Sequence, residues 1–96
     1  MNLSNLLTPD TRLRISPDSY AVEVDNEVII LNFASEQYYG LSDAGVRIWN
    51  LIGSEASLGE IHLQLMAEYD VESDALWHDI YRLVEDMLDQ QLITLA

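Results

Sequence analysis

Ninety-six residues, 49 % hydrophobic and 22 % charged, describe one modest globular domain rather than a disordered chain. Four arginines against 17 carboxylates, with no lysine, give a net charge of −13, which repels a nucleic-acid backbone and an anionic membrane surface alike. The absence of cysteine excludes disulfides, a thiolate nucleophile and Cys-ligated metal centres, and no apolar run nears the ~20 residues of a membrane span.

The opening stretch, Met1 to Leu7, lacks the basic region and long apolar run of a secretory signal, so the expected compartment is the cytoplasm. Residues 1–10 hold few structural cues and are read as an N-terminus free to be flexible; residues 11–96 are read as a single domain. Arg12 to Ile15 alternates as a short edge strand, stopped by Ser16-Pro17-Asp18. Tyr20, Val22 and Val24 then share one face of a second strand. Asp25-Asn26 is a two-residue turn, because both residues tolerate positive φ. Val28-Ile29-Ile30-Leu31 is apolar on both faces and suits a central strand. A turn at Ala34-Ser35-Glu36 leads into Gln37-Tyr38-Tyr39-Gly40-Leu41, with Tyr39 and Leu41 on one face. The strands from Tyr20 onward form a three-stranded antiparallel meander.

After Leu41 the apolar period changes from two to about 3.6. Ser42 is expected to cap a helix over Asp43–Ile52, ended by Gly53. Ser57-Leu58-Gly59-Glu60 is a capping box, opening a helix to about Tyr69 with Leu58, Ile61, Leu65 and Met66 inward. A third helix starts at Asp70, Glu72 or Ser73 and ends near Gln90, after which Leu92-Ile93 packs back on the body. Leu76, Ile80, Leu83 and Met87 form its core stripe. Trp77, Tyr81, Val84 and Leu88 widen the apolar arc into a shoulder, which either meets a neighbouring helix or lines a groove. The fold class is α+β: a three-stranded antiparallel meander followed by three helices, winged-helix-like.

Catalytic signatures are missing. The four glycines are too scattered for a phosphate loop, and no Gly-x-Ser-x-Gly elbow or His-Glu-x-x-His occurs. His62 and His78 are read as surface or rim residues, and neighbouring carboxylates such as Glu85 and Asp86 as a solvated helix face. No enzyme activity, cofactor or metal is expected. What stands out is the last strand of the meander. Gln37–Leu41 has neither Lys nor Pro to guard its edge, so an extended peptide could add itself there. Coverage of that edge by the chain's own N-terminus, or by a second copy, is the competing arrangement. A winged-helix DNA binder is opposed by the charge, and an acidic carrier protein by the missing Asp-Ser-Leu and by the strand run at 28–33.

Leu41-Ser42-Asp43-Ala44-Gly45-Val46-Arg47-Ile48-Trp49 resembles the Leu-Asn-x-x-Ala-x-x-Ile-Trp segment of PqqD-like proteins. Ser57-Leu58-Gly59-Glu60-Ile61 with Leu65, Tyr69 and Val71, and then Asp79-Ile80, Leu83-Val84, Met87 and Leu92-Ile93, are similar to two later segments of that family. The departures are Ser42 for Asn, Gly45 for Ala, Leu83 for Phe and Gln91 for Gly. The resemblance implies a leader-peptide recognition element for ribosomally made, post-translationally modified peptides, most like the free-standing lasso-peptide proteins. It implies three strands before three helices, with the leader docked as an added strand beside the third helix.

Carried onto this chain, the receiving strand is Gln37, Tyr38, Tyr39, Gly40 and Leu41, and the helix wall is Trp77, Tyr81, Val84 and Leu88. Glu85 and Asp86 would steer a basic leader. A proline at Tyr39 is expected to remove a backbone donor from the platform. The expected partners are a precursor leader peptide and a separate leader peptidase or modifying enzyme, the chain being a monomer or weak homodimer. The alternatives are a peptide chaperone for a radical enzyme of pyrroloquinoline-quinone type, or a winged-helix interaction or dimerisation module.

Overall fold

In the computed structural model, which describes residues 7–96, the alternating segment forms a meander of three antiparallel strands. These are β2 (Ser19–Val24), β3 (Glu27–Asn32) and β4 (Gln37–Ser42), in the order β2-β3-β4. Asp25, with φ 57, makes the first tight turn and Glu36, with φ 59, closes the second. Val28 pairs with Leu41 and Ile30 with Tyr39, and this face turns inward. Three helices follow: α1 (Ala44–Gly53), α2 (Leu58–Glu68) and α3 (Ser73–Asp89). Ile30, Ile52, Leu58, Ile61, Leu65, Ile80, Val84 and Met87 are buried together as one core.

A second, two-stranded sheet pairs β1 (Leu13–Ile15) with β5 (Ile93–Leu95). The strand at Arg12–Ile15 therefore finds its partner at the far end of the chain. Leu92 and Ile93 pack back as expected, but the last residues also extend into a strand.

Three local expectations are corrected. Ser42 does not cap α1, because its backbone completes the β3–β4 ladder opposite Glu27. Asp43 takes the corner instead, at φ 50 and ψ −123, and its carbonyl accepts from Val46 and Arg47. That conformation is costly for a side chain and is held by the strand before it and the helix after it. At the other end of α1 the left-handed residue is Glu55, at φ 66, while Gly53 stays helical. His62 is not on the surface: it is buried on α2, and Nε2 lies 3.2 Å from both the carbonyl and the hydroxyl oxygen of Ser73. α3 packs beside α2 at this point, a juxtaposition that the helical period of either segment does not encode.

Residues 7–10, counted with the flexible terminus, are docked; residues 1–6 lie outside the described residues. Leu7 is buried, and the carbonyls of Pro9 and Thr11 accept from Gly59 and Leu58, two of the unpaired donors at the start of α2. The Ser57–Glu60 capping box satisfies further donors there, and Arg12 pairs with Glu60 at 3.2 Å. A Cβ on Gly59 would sit 3.1 Å from the Pro9 carbonyl oxygen, so a side chain there would push the N-terminal segment back by a few tenths of an ångström. Arg47 on α1 forks onto Glu68 on α2, which with Gln64 holds that carboxyl down at about 2. Replacing Ser57 by Ala removes the cap beneath this junction. It should lower stability by about 1 kcal/mol, and a thermal melt unchanged from the parent would show that the N-terminal segment alone closes α2.

Candidate functional site

β4 is one of the two edge strands of its sheet, and the backbone hydrogen bonds say which of its groups are open. Phe33 N donates to the Asp18 carbonyl, continuing the β2–β3 register by one pair. Bonded and non-bonded pairs alternate along an antiparallel ladder. The odd-numbered residues of β3 therefore bond to β2, and Val28, Ile30 and Asn32 bond to β4. Their partners Leu41, Tyr39 and Gln37 are turned inward. Tyr38, Gly40 and Ser42 are left with N–H and C=O groups directed to the open edge. Among the described residues no strand pairs there. The N-terminal segment from Leu7 runs instead to α2 and β5.

Beside this edge lies α3. The Tyr39 hydroxyl donates to the Asp86 carboxylate at 2.5 Å, joining strand to helix across 47 residues of sequence. Burial first, then the hydrogen bond and negative charge of Asp86, push the Tyr39 phenol up to about 12. Leu41 and Leu83 converge on Gly45, where a Cβ would meet Leu41 Cδ2 at 3.2 Å and Leu83 Cδ2 at 3.8 Å. Tyr39, Leu41, Leu83 and Asp86 thus mark the junction of β4 and α3, apolar toward Gly45 and acidic at Asp86. It offers backbone pairing and side-chain contacts. Among the described residues no three His, Asp or Glu side chains gather in a way that would hold a metal ion.

The family model for coenzyme PQQ synthesis protein D, PqqD, matches residues 27–93, more than two-thirds of the chain. This chain belongs to the PqqD family. Two solved structures share its fold. One, described as TbiB1 in complex with the TbiA(beta) leader peptide, is 28 % identical over 83 % of this chain and 93 % of its own, with a TM-score of 0.80. The other, a lasso peptide synthetase B1 complexed with the leader peptide, is 23 % identical over 86 % of this chain and 98 % of its own, also at 0.80. The comparison with curated proteins found no match.

In this PqqD-family chain the five expected β4 residues stand together, but the expected helix wall does not face them. At about 100° per residue, Trp77, Tyr81, Val84 and Leu88 lie roughly 140–180° around α3 from Asp86. Trp77 stacks on His62 of α2, with ring centroids 4.1 Å apart, and Tyr81 stacks on Trp77 at 5.2 Å. Val84 is fully buried, and Leu88 borders a cavity shared with Asn32, Ile93 and Leu95. Glu85, half-buried, is next to Asp86 in sequence but about 100° round the helix from it. The flank turned to β4 carries Leu83 and Asp86 instead. The sequence places Leu83 in the core stripe and Asp86 on a solvated face as a steering charge; the structure brings both to β4. Asp79 and Gln90 continue this flank at helical spacing, and that period was the available signal.

The backbone directions also correct the Tyr39 proline test. Tyr39 N–H belongs to the β3 ladder, so proline there would break the sheet rather than probe the edge. Because the folded phenol sits above its ordinary value of 10.0, folding binds more protons than unfolding between pH 10 and about 12. The contribution of Tyr39 to stability is complete below pH 10 and is lost as pH rises through that window. Asp86→Asn removes the carboxylate and should lower the Tyr39 pKa part of the way back, since burial remains. A ring-labelled NMR titration that shows no movement would dissociate the two residues.

Proposed function

We propose that this chain is a leader-peptide recognition element of the lasso-peptide type. It takes the leader segment of a ribosomally made precursor as a further strand on β4 and holds it for a separate leader peptidase or modifying enzyme. The observation that carries this reading is the open edge of Tyr38, Gly40 and Ser42 beside the α3 flank, in a fold shared with leader-bound B1 proteins. The chain itself acts as an adaptor and performs no chemistry.

In this arrangement an added strand pairs with the outward groups of β4, and its alternate side chains point toward Leu41, Leu83 and Asp86. Backbone bonds supply affinity; the groove supplies selection. An apolar leader side chain suits the Leu41–Leu83 end and a donor or cation suits Asp86. The −13 charge steers a basic leader from a distance, so association should slow as salt is raised. Ordering a flexible segment opposes binding, which places the affinity at about 10⁻⁸–10⁻⁶ M.

Gly40→Pro is the clean test, because Gly40 directs its N–H to the open edge and a Cβ there meets nothing within 4 Å. Calorimetry with the leader of a precursor encoded beside the chain should show binding to the parent. Binding should weaken at least tenfold in Gly40→Pro while the melting temperature holds. A folded Gly40→Pro variant of parental affinity removes β4 as the platform.

The wall is tested by comparing Leu83→Ala with Tyr81→Ala. The first should weaken leader binding by about 1–3 kcal/mol, and the second should leave it within twofold. The reverse order restores the Trp77–Tyr81 shoulder as the wall. The family description itself favours a second reading, a peptide chaperone in pyrroloquinoline-quinone synthesis. Preference for that pathway's precursor over a lasso leader in the same titration would select it.

A further inference from the structure

The meander has two faces, and the helices cover one. On the other, the register sets Tyr20, Leu31 and Tyr38 side by side across all three strands, with Val22 and Ile29 in the next row. Phe33 continues the line and its ring lies 6.2 Å from that of Tyr20. Tyr20 is 56 %, Phe33 67 % and Tyr38 75 % exposed. Six of the ten exposed large hydrophobic residues of the described chain belong to this one patch, when Val22, Val24 and Leu31 are counted with them. Scattered exposed apolar residues need no explanation, but a contiguous face of aromatic and β-branched side chains does.

Charge says what fits it. Between Arg14 and Arg47 the sequence holds six carboxylates and no Lys, Arg or His. Glu27 stands on the face itself, and Asp25 and Glu36 occupy the turns at its two ends. The patch is therefore apolar at its centre and uniformly acidic at its rim.

A second copy of the chain does not suit it. Each copy carries −13, and three six-residue strands make a face of about 20 by 14 Å, roughly 300 Å². A standard interface uses about 800 Å² per partner, so this face would serve as the anchoring centre of a larger contact.

We propose that the outer face of β2–β3–β4 docks a second protein, through an apolar patch ringed by Lys and Arg. The site lies beyond the leader groove: a strand added to β4 extends the sheet edge and leaves this face open, so both partners can be held at once. The choice of partner for the test, the processing enzyme encoded with the chain, rests on the adaptor reading above. The surface itself does not.

The experiment measures two affinities on the same variants by biolayer interferometry: one for the purified processing enzyme and one for the leader peptide. Tyr20→Ser with Phe33→Ser removes exposed rings and leaves the core alone. It should weaken enzyme binding at least tenfold and leave leader affinity within twofold. Glu27→Lys with Glu36→Lys should weaken enzyme binding and flatten its salt dependence. Leu83→Ala, on the helix side of the sheet, should do the converse, weakening the leader and keeping the enzyme. Enzyme affinity unchanged in Tyr20→Ser/Phe33→Ser, or no enzyme binding to the parent with or without leader, overturns the proposal. So does a concentration-dependent dimer in sedimentation velocity that the same double variant abolishes, because the occupant is then a second copy. Loss of leader binding by the parent, with enzyme binding intact and sensitive to the outer face, overturns the adaptor reading and leaves this surface standing.

Discussion

Ile30 sits at the middle of the central strand and is fully buried in the same core as Ile80 and Met87 of α3. The sheet is packed from that side only, and this constraint shapes the rest of the molecule. Three helices joined by short connections have one apolar arc each, and all three arcs close on the one core that takes in the inner face. Leu7, Leu13, Leu92 and Ile93 bring both ends of the described chain into the same layer. Among the described residues no element is left over for the outer face or for the edge of β4. The two surfaces given functional readings are thus what remains after a small chain has used its helices to bury one side of a meander.

Charge is divided along the same line. Arg12 and Arg47 are engaged in the helical layer, with Glu60 and Glu68, where they tie the N-terminal segment and α1 to α2. The meander has no cation of its own. Exposed pairs of this kind contribute little to stability, but their placement leaves the negative field of the sheet uncompensated. At physiological salt that field reaches about 8 Å, far enough to favour cationic segments at the edge and cationic rims at the face. The same excess opposes self-association, which is the other use an open strand edge invites.

Much of this was legible in the sequence because it rests on local periods. Alternation from Tyr20 to Leu41 set the strands, and the apolar centre at Val28–Leu31 identified the middle one. Ser57 and Glu60 marked the start of α2 through chemistry confined to four residues. What escaped depended on neighbours distant in sequence. A helical period shows that Trp77, Tyr81, Val84 and Leu88 share an arc of α3, but not which element lies against it; here that element is α2 for Trp77 and the β5 region for Leu88. Leu83 and Asp86 came to lie at the β4–α3 junction only because Gly45 and Tyr39, 38 and 47 positions away, were brought beside them. Likewise β5 is three residues long and exists through pairing with β1. Ser42 has the chemistry of a helix cap, and its place in the ladder overrode it.

The sheet has a second open edge, along β2, and the comparison of the two argues for β4 as the acceptor. By the same alternation β2 turns the backbone of Ser19, Ala21 and Glu23 outward. Glu23 lies on the helix-facing side of the sheet, opposite Val28, yet remains exposed. A carboxylate on the inner face of an edge strand is a recognised obstacle to further pairing, since an added strand would have to bury it. Asp25 stands at the end of the same strand. β4 carries no charge from Gln37 to Ser42, keeps a glycine among its outward-facing residues, and has Leu83 and Asp86 standing beside it. One edge of this sheet is guarded and the other is left open next to a wall, and it is that asymmetry, more than the presence of a free edge, that favours β4 over β2 in the proposed reading.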